Sequence, residues 1–299
     1  MSQMTQTELH QLIQTRSKII TDQAGREVLV LDDDQAFKIG GESRRTVHEV
    51  YTEALRLGIN PYRYIRNREL ISVQEQLRLA ESRVTVVGAG GLGGQVILLL
   101  ARVGIGHLIV VDPDLFDETN LNRQALCSRK SLGRPKSKVA VDVVASINPG
   151  IKVTPYQTGL DPLNAPEILV GSDVVVDALD NIPDRLVLES TTKQLGVPLV
   201  HGALAGFEGW MMTIFPDDEG LKCLYGDGEV KGNDAKSPEA ILGVPALTPS
   251  MFAALQAMEV LKIILKRGKI FRHTIVHLDL ETGQLNEFVC EKRNSLKSD

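Results

Sequence analysis

Residues 88–94 read Gly-Ala-Gly-Gly-Leu-Gly-Gly, between the apolar run Val84–Val87 and the helix-like stretch Gln95–Val103. A second apolar run, Leu108–Val111, ends at Asp112, about two dozen residues after Gly88. Strand, glycine turn, helix and acid in this order predict a site for an adenine nucleotide. Gly88 and Gly90 are free to take positive φ in a tight turn, and no Cβ obstructs a phosphate. A helix beginning in the turn offers unpaired N–H groups and a partial positive charge to that phosphate. Asp112 is placed to accept hydrogen bonds from ribose hydroxyls. Gly88, Gly90, Gly91 and Gly93 are the candidate cradle.

The surrounding pattern is one of alternation. Strand candidates at Arg83–Val87, His107–Val111, Ile151–Tyr156, Asp173–Asp177 and Pro198–His201 are separated by helix candidates at Leu92–Val103, Ser137–Ile147, Leu163–Val170 and Asp184–Leu195. Short apolar strands between helices predict an α/β fold with a doubly wound, mainly parallel, Rossmann-like sheet. Gly209–Phe215, Thr274–Leu280 and Gln284–Cys290 alternate instead, and predict antiparallel strands that extend the sheet. Leu255–Leu265 is a strongly apolar helix candidate, and residues 217–247 lack periodicity and predict a long loop.

Residues 1–60 differ in pattern. Thr5 with Glu8 matches a capping box. Glu27–Leu31 suggests a small strand closed by a turn at Asp32-Asp33-Asp34, and Val47 to Leu55 repeats at helical spacing. We expect a small, α-rich N-terminal appendage over 1–60 and a single nucleotide-binding unit over 61–299. The nucleotide half would span about 83–205, with a crossover loop over about 217–247.

The 299 residues are 43% hydrophobic, enough for one large α/β domain with an appendage. A net charge of −5 argues against nucleic acid as a partner and against an electrostatic membrane anchor. Gln256, Glu259 and Lys262 interrupt Met251–Leu265, which argues against a membrane span. Three widely spaced cysteines and a polar Met1–Leu12 fit a reducing, cytoplasmic setting.

The strongest chemical signal follows Asp112. The chain continues Pro-Asp-Leu-Phe-Asp-Glu-Thr-Asn-Leu-Asn-Arg-Gln over 113–124, then Leu-Gly-Arg-Pro-Lys over 132–136. A dehydrogenase needs only the acid. Here Asp114, Asn120, Arg123, Gln124 and Lys136 are added near the carboxyl edge of the sheet, where cations neutralise polyphosphate charge. Asp180-Asn181 follows the strand candidate Asp173–Asp177 at the same edge. A carboxylate facing a triphosphate requires a cation between them, so Asp180 suggests Mg²⁺.

Taken together, these residues resemble the E1-like adenylyltransferases of the ThiF, MoeB and HesA type. The resemblance covers about residues 62–290, and Asn120-Leu-Asn-Arg123-Gln124 with Asp180-Asn181 is more specific than the glycine loop. Arg63-Tyr-Ile-Arg66 stands where the family carries an arginine finger, followed here by Asn67 in place of the common Gln. Gln256-Ala-Met-Glu259 also matches. The resemblance implies that ATP and Mg²⁺ activate the C-terminal Gly-Gly carboxylate of a small ubiquitin-fold sulfur carrier as an acyl-adenylate, with loss of pyrophosphate. It implies that Arg123 and Lys136 contact phosphates, Asp112 holds the ribose, and Asn120 and Gln124 orient the phosphate region. It further implies that Arg66 reaches the partner subunit's site in a homodimer.

Many relatives bind a structural zinc through two CxxC pairs. Here each pair is reduced to one residue, Cys223 and Cys290, so no structural zinc is expected. Cys223 and Cys127 are expected to be structural thiols. His201 ends a strand at the active edge and is expected to be held by a hydrogen bond. Rival readings are an E1-like enzyme acting on another carboxylate or on a modified tRNA base (the threonylcarbamoyl-adenosine dehydratase type), an NAD-dependent dehydrogenase, or a non-catalytic E1-like subunit. The dehydrogenase leaves Asn120, Arg123, Lys136 and Asp180 without work.

Overall fold

The structure is a computed structural model, and it describes residues 4–226 and 241–290. The N-terminal part runs α1 (Gln6–Arg16), β1 (Lys18–Thr21), β2 (Glu27–Leu31), α2 (Asp33–Ser43), α3 (Val47–Arg56) and β3 (Asn60–Pro61), followed by α4 (Val73–Glu81). The alternating part runs β4 (Arg83–Val87), α5 (Gly91–Val103), β5 (His107–Val111), α6 (Lys136–Ile147), β6 (Lys152–Tyr156), α7 (Ala165–Leu169), β7 (Val174–Asp177), α8 (Ile182–Leu195) and β8 (Leu199–Ala205). Then come β9 (Glu208–Ile214), α9 (Lys222–Tyr225), α10 (Leu247–Leu265), β10 (Thr274–Asp279) and β11 (Gln284–Val289).

One eight-stranded sheet has the order β11-β10-β9-β8-β7-β4-β5-β6. Strands β6, β5, β4, β7 and β8 are parallel, and β9, β10 and β11 extend the sheet antiparallel. This is the expected mixed sheet. The central strands β4, β5 and β7 are mostly apolar and buried because helices cover both faces, whereas the edge strand β6 is only partly buried. Side chains then divide by period two. Val84, Val86, Leu108, Val110, Val174 and Val176 face a core shared with α5, α6 and α10. Val87, Ile109, Val111 and Val175 face a second core shared with α7 and α8.

Sequence reasoning erred on local boundaries. Asp32-Asp33-Asp34 is not a turn: the Asp32 side chain accepts from the Gln35 N–H at 3.0 Å and caps α2. Asp33 and Asp34 occupy the first turn, where the helix dipole favours acids. Helices α2 and α4 and strand β1 were not expected. Capping boxes at Thr46/Glu49 and Ser72/Glu75 mark α3 and α4. Helix α10 begins at Leu247, well before Leu255, because Pro249 lies in its first turn and removes an N–H that has no helical acceptor there. The expected loop 217–247 contains α9, and its residues 227–240 lie outside the described residues.

By length and composition α10 could cross a membrane. In the fold it is instead a core helix of the sheet. Buried Gln256 donates to the carbonyls of Asp177 and Val200 at 2.9 and 3.1 Å, and Glu259 accepts from Thr213 and from the Phe271 N–H.

The N-terminal part has its own apolar cluster, including Ile13, Leu31, Ile39, Val50 and Ile59. It packs against the amino ends of β5 and β6. His48 Nδ1 lies 3.0 Å from the Gly150 carbonyl, and Arg63 pairs with Asp33 while donating to the Ile147 carbonyl at 2.8 Å. The glycine loop, Asp112 and Asp180 lie at the opposite, carboxyl end.

Two glycines set the distance between β4, α5 and β7. Gly88 has φ 94°, and a Cβ there would lie 2.4 Å from the Ala178 carbonyl oxygen. A Cβ on Gly93 would lie 1.8 Å from the Gly88 carbonyl oxygen. The obstacle is backbone in both cases, so a methyl group must push elements apart. Gly93→Ala is therefore expected to lower stability by roughly 1–3 kcal/mol. Denaturant unfolding tests this, and an unchanged midpoint would show that α5 can move at little cost.

Candidate active site

The cleft holds about 250 Å³ at the carboxyl edge of the sheet. It is lined by Gly88, Gly90, Gly91, Asp112, Asp114, Arg123, Gln124, Lys136, Asp180 and Asn181, ten of the residues singled out in the sequence. Gly93 is not on its wall, and its work is the packing just described. Gly90 does not take positive φ: it caps α5 with φ −78°. Only Gly88 supplies the left-handed turn within the loop. The N–H groups of the first turn of α5 remain available beside Gly90 and Gly91.

Asp112 lines the cleft and is also engaged by the backbone. It is buried, and Oδ2 accepts from the Ala89 N–H at 2.6 Å while Oδ1 accepts from the Asp114 N–H at 2.8 Å. Its carboxylate thus fastens the glycine loop to the end of β5, and only further lone pairs face a sugar. Burial pushes its pKa up, while the Ala89 N–H and the Lys136 charge oppose the shift. Lys136 is the first residue of α6 and is 6% exposed; its Nζ lies 2.9 Å from Asp114 Oδ2. Asp114 is exposed, so the pair holds a cation at the wall without neutralising it deep in the core.

Arg123 donates to the Thr119 carbonyl at 2.9 Å and to Asn122 Oδ1 at 3.2 Å. The adjacent Gln124 is buried, and its Oε1 has no hydrogen-bond partner. Asn120 is buried outside the cleft: its Oδ1 accepts from the Asp117 N–H at 3.0 Å and closes the turn Glu118–Asn120. Asn120 therefore braces the Arg123 loop from outside the cleft. Asp180 is exposed. Asn181 caps α8 through the Asp184 N–H at 2.9 Å, and its Nδ2 reaches Asp180 Oδ1 and Asp184 Oδ2 at 3.3 and 2.9 Å.

The chain places Arg66 away from this cleft. It is exposed, on the turn after Tyr62–Tyr64, and its guanidinium donates to Gln23 Oε1.

Sequence reasoning missed Asp184, Arg185 and the stretch Thr158–Leu160, all of which line the cleft. A signal existed for the first two, since they follow Asn181 within one helical turn of a capped helix. Arg185 is buried and gathers several partners. It donates to the Leu179 and Gly202 carbonyls and to the Tyr225 hydroxyl, and Nε lies 3.7 Å from Asp177 Oδ2. Asp177 also lies 2.6 Å from His201 Nδ1 and accepts from the Leu179 N–H. His201 is fully buried, and burial pushes its pKa down, so the imidazole is neutral and held by a hydrogen bond as expected.

Cys223 and Cys290 are not separate thiols. They form a disulfide with Cα atoms 6.0 Å apart, although 67 residues separate them. Folding brings α9 and the end of β11 together, which spacing alone could not reveal. Cys127 is half-buried outside the cleft, and burial pushes its thiol pKa up.

The donor set fits a nucleotide polyphosphate: a helix N-terminus, Arg123 and Lys136 at one wall, and an unpartnered buried amide oxygen on Gln124. Asp112→Asn should disturb it in a defined way. An amide has one oxygen for two N–H donors, and a buried N–H left unpaired costs roughly 1–3 kcal/mol. ATP titration by calorimetry is expected to show affinity reduced by about tenfold or more. Wild-type affinity would mean the loop is held by other contacts.

The ThiF family model matches residues 64–298. The SAMP-activating enzyme E1 of Haloferax volcanii is 39% identical over 209 residues, covering 70% of this chain and 77% of its own. The molybdopterin-synthase adenylyltransferase of Escherichia coli is 35% identical and covers 74% and 90%. The adenylyltransferase and sulfurtransferase MOCS3 of Arabidopsis thaliana is 37% identical, and the match spans only 52% of its length. Among solved structures, Escherichia coli MccB with ATP has a TM-score of 0.67 at 21% identity over 78% of this chain and 73% of that one, a likeness of fold. This chain belongs to the ThiF family of E1-like adenylyltransferases.

Proposed function

We propose that this protein uses ATP to adenylate the C-terminal Gly-Gly carboxylate of a small ubiquitin-fold sulfur-carrier protein. The observation that carries the proposal is the cleft itself, where a glycine-loop helix terminus, Arg123 and Lys136 meet the carboxylates of Asp180 and Asp184. The relatives' names support the carrier: one activates a SAMP, and another, from Thermus thermophilus, is a sulfur carrier protein adenylyltransferase at 36% identity over 74% of this chain and 84% of its own.

Both reactants are anions. A carboxylate oxygen forms a bond to the α-phosphorus of ATP, and the bond to pyrophosphate breaks. Two unit charges a few ångströms apart repel by about 4 kcal/mol at intermediate dielectric, so the protein must screen them. Arg123 and Lys136 hold phosphate oxygens and offset the charge on the departing pyrophosphate. The loop fastened by Asp112 fixes the nucleotide, and positioning does most of the remaining work. Asp180, with Asp184 beside it, would hold Mg²⁺, which supplies further neutralisation of phosphate charge when bound.

ATP–pyrophosphate exchange should depend on a carrier ending in Gly-Gly and vanish when that terminus is removed. Asp180→Ala is expected to abolish exchange and keep the wild-type melting curve, because the side chain is exposed. Normal turnover in this variant would remove Asp180 from the mechanism.

Arg66 gives a second test. It lies outside the cleft of its own chain, and we propose that it serves the ATP of the partner subunit in a homodimer. Arg66→Ala should lower exchange by roughly 10²-fold. Mixing it with Asp180→Ala, with subunit exchange confirmed by two tags, should restore part of the activity. Absence of rescue after confirmed exchange would exclude action between subunits.

A further inference from the structure

The Cys223–Cys290 pair is used by nothing in the proposed reaction, yet it lies two side chains from the cleft. Cys223 sits on α9, and Tyr225 at the end of the same helix accepts a hydrogen bond from Arg185 Nη1 at 3.0 Å. Arg185 in turn donates to the Leu179 carbonyl, beside Asp180. Cys290 follows β11, the edge strand of the main sheet. The disulfide thus ties the short helix that touches Arg185 to the far edge of the sheet. Four residues make a helix too short to hold itself. The turn before it is held independently, because Glu189 Oε1 accepts from the Leu221 N–H at 2.9 Å. Backbone bonds to Gly220 and Leu221, and packing on the second core, also hold Cys223 to Tyr225; what the sulfur bond adds is a covalent tie from this segment to the end of β11.

We propose that the Cys223–Cys290 disulfide is a reversible redox latch on the nucleotide cleft. Cys223 is half-buried whereas Cys290 is 8% exposed, so exchange begins at the Cys223 sulfur. A thiolate of a small dithiol attacks Cys223 Sγ, and the Cys290 sulfur leaves as a thiolate and takes a proton. The second thiol of the reductant then displaces Cys223. Two electrons and two protons pass to the protein, and the dithiol becomes a disulfide. Re-oxidation by a disulfide oxidant is the reverse. A Glu219 carboxylate oxygen lies 3.8 Å from Cys223 Sγ. With the latch open, Tyr225 is no longer fixed on Arg185 and the Leu179–Asn181 wall loosens.

The experiment equilibrates the full chain with graded ratios of reduced to oxidised dithiothreitol, blocks thiols by alkylation, and reads mass, melting temperature and ATP affinity. The pair should titrate as one two-electron couple. Reduction should lower the melting temperature by roughly 5–10 °C, since a loop of 67 residues is released. It should also weaken ATP binding about three- to tenfold, the worth of one hydrogen bond. The double variant Cys223→Ser, Cys290→Ser should match the reduced protein and ignore dithiol. In Tyr225→Phe, reduction should still lower the melting temperature but leave ATP affinity unchanged, which separates coupling from loss of stability. Both thiols alkylated at every ratio, an ATP affinity indifferent to reduction, or one zinc bound per chain by the reduced pair would each overturn the proposal. Affinity and melting are read without the carrier, so failure of carrier-dependent exchange would count against the proposed function and leave the latch standing.

Discussion

A buried carboxylate holds the nucleotide loop in place. Asp112 accepts one N–H from the glycine turn and one from its own strand end, so the turn after β4 and the end of β5 cannot move apart without unpairing the buried Ala89 N–H and an Asp112 carboxylate oxygen. The backbone contact of Gly88 with Ala178 locks the same turn to the end of β7. Three adjacent strand ends therefore behave as one rigid rim. Arg123, Lys136 and Asp180 are hung from that rim, and the accuracy with which they can meet a phosphate is inherited from it.

Beneath the rim lies a charged layer that faces away from solvent. Asp177, His201 and Arg185 are each nearly inaccessible: the Asp177 carboxylate lies 2.6 Å from His201 Nδ1 and 3.7 Å from Arg185 Nε, at the end of β7 and along β8. Burying charge is costly unless it is paired, and here Arg185 also holds the Leu179 carbonyl just before Asp180 and the Gly202 carbonyl on β8. The layer converts packing of α8 and α9 into the position of a loop on the surface.

The main sheet was legible in the sequence because unbroken apolar runs such as His107–Val111 admit few alternatives once helices separate them. The cleft was legible because its residues are polar types at strand ends, where core packing gives no reason for them. Errors fell where two meanings share one residue type. Asp32–Asp34 suits a turn or a helix start, and here it starts α2. Asp112 has the expected location but is engaged by backbone, a fact that only three-dimensional closure of the loop supplies. The meeting of Cys223 with Cys290 was invisible because no periodicity links α9 to β11. Arg185 was hidden by looking like an ordinary cation on a helix.

The hairpin of β1 and β2 supports more than its own small core. Gln23 receives the Arg66 guanidinium, while Asp22 and Arg26 in the same hairpin pair with Arg68 and Glu69, which follow it. The segment bearing Arg66 is thus braced by the N-terminal part, away from the cleft. A shortened chain starting just before Arg66 would keep its glycine loop and Asp112 fastening intact while losing that brace. Under the role proposed for Arg66, such a chain would still capture ATP and lose turnover.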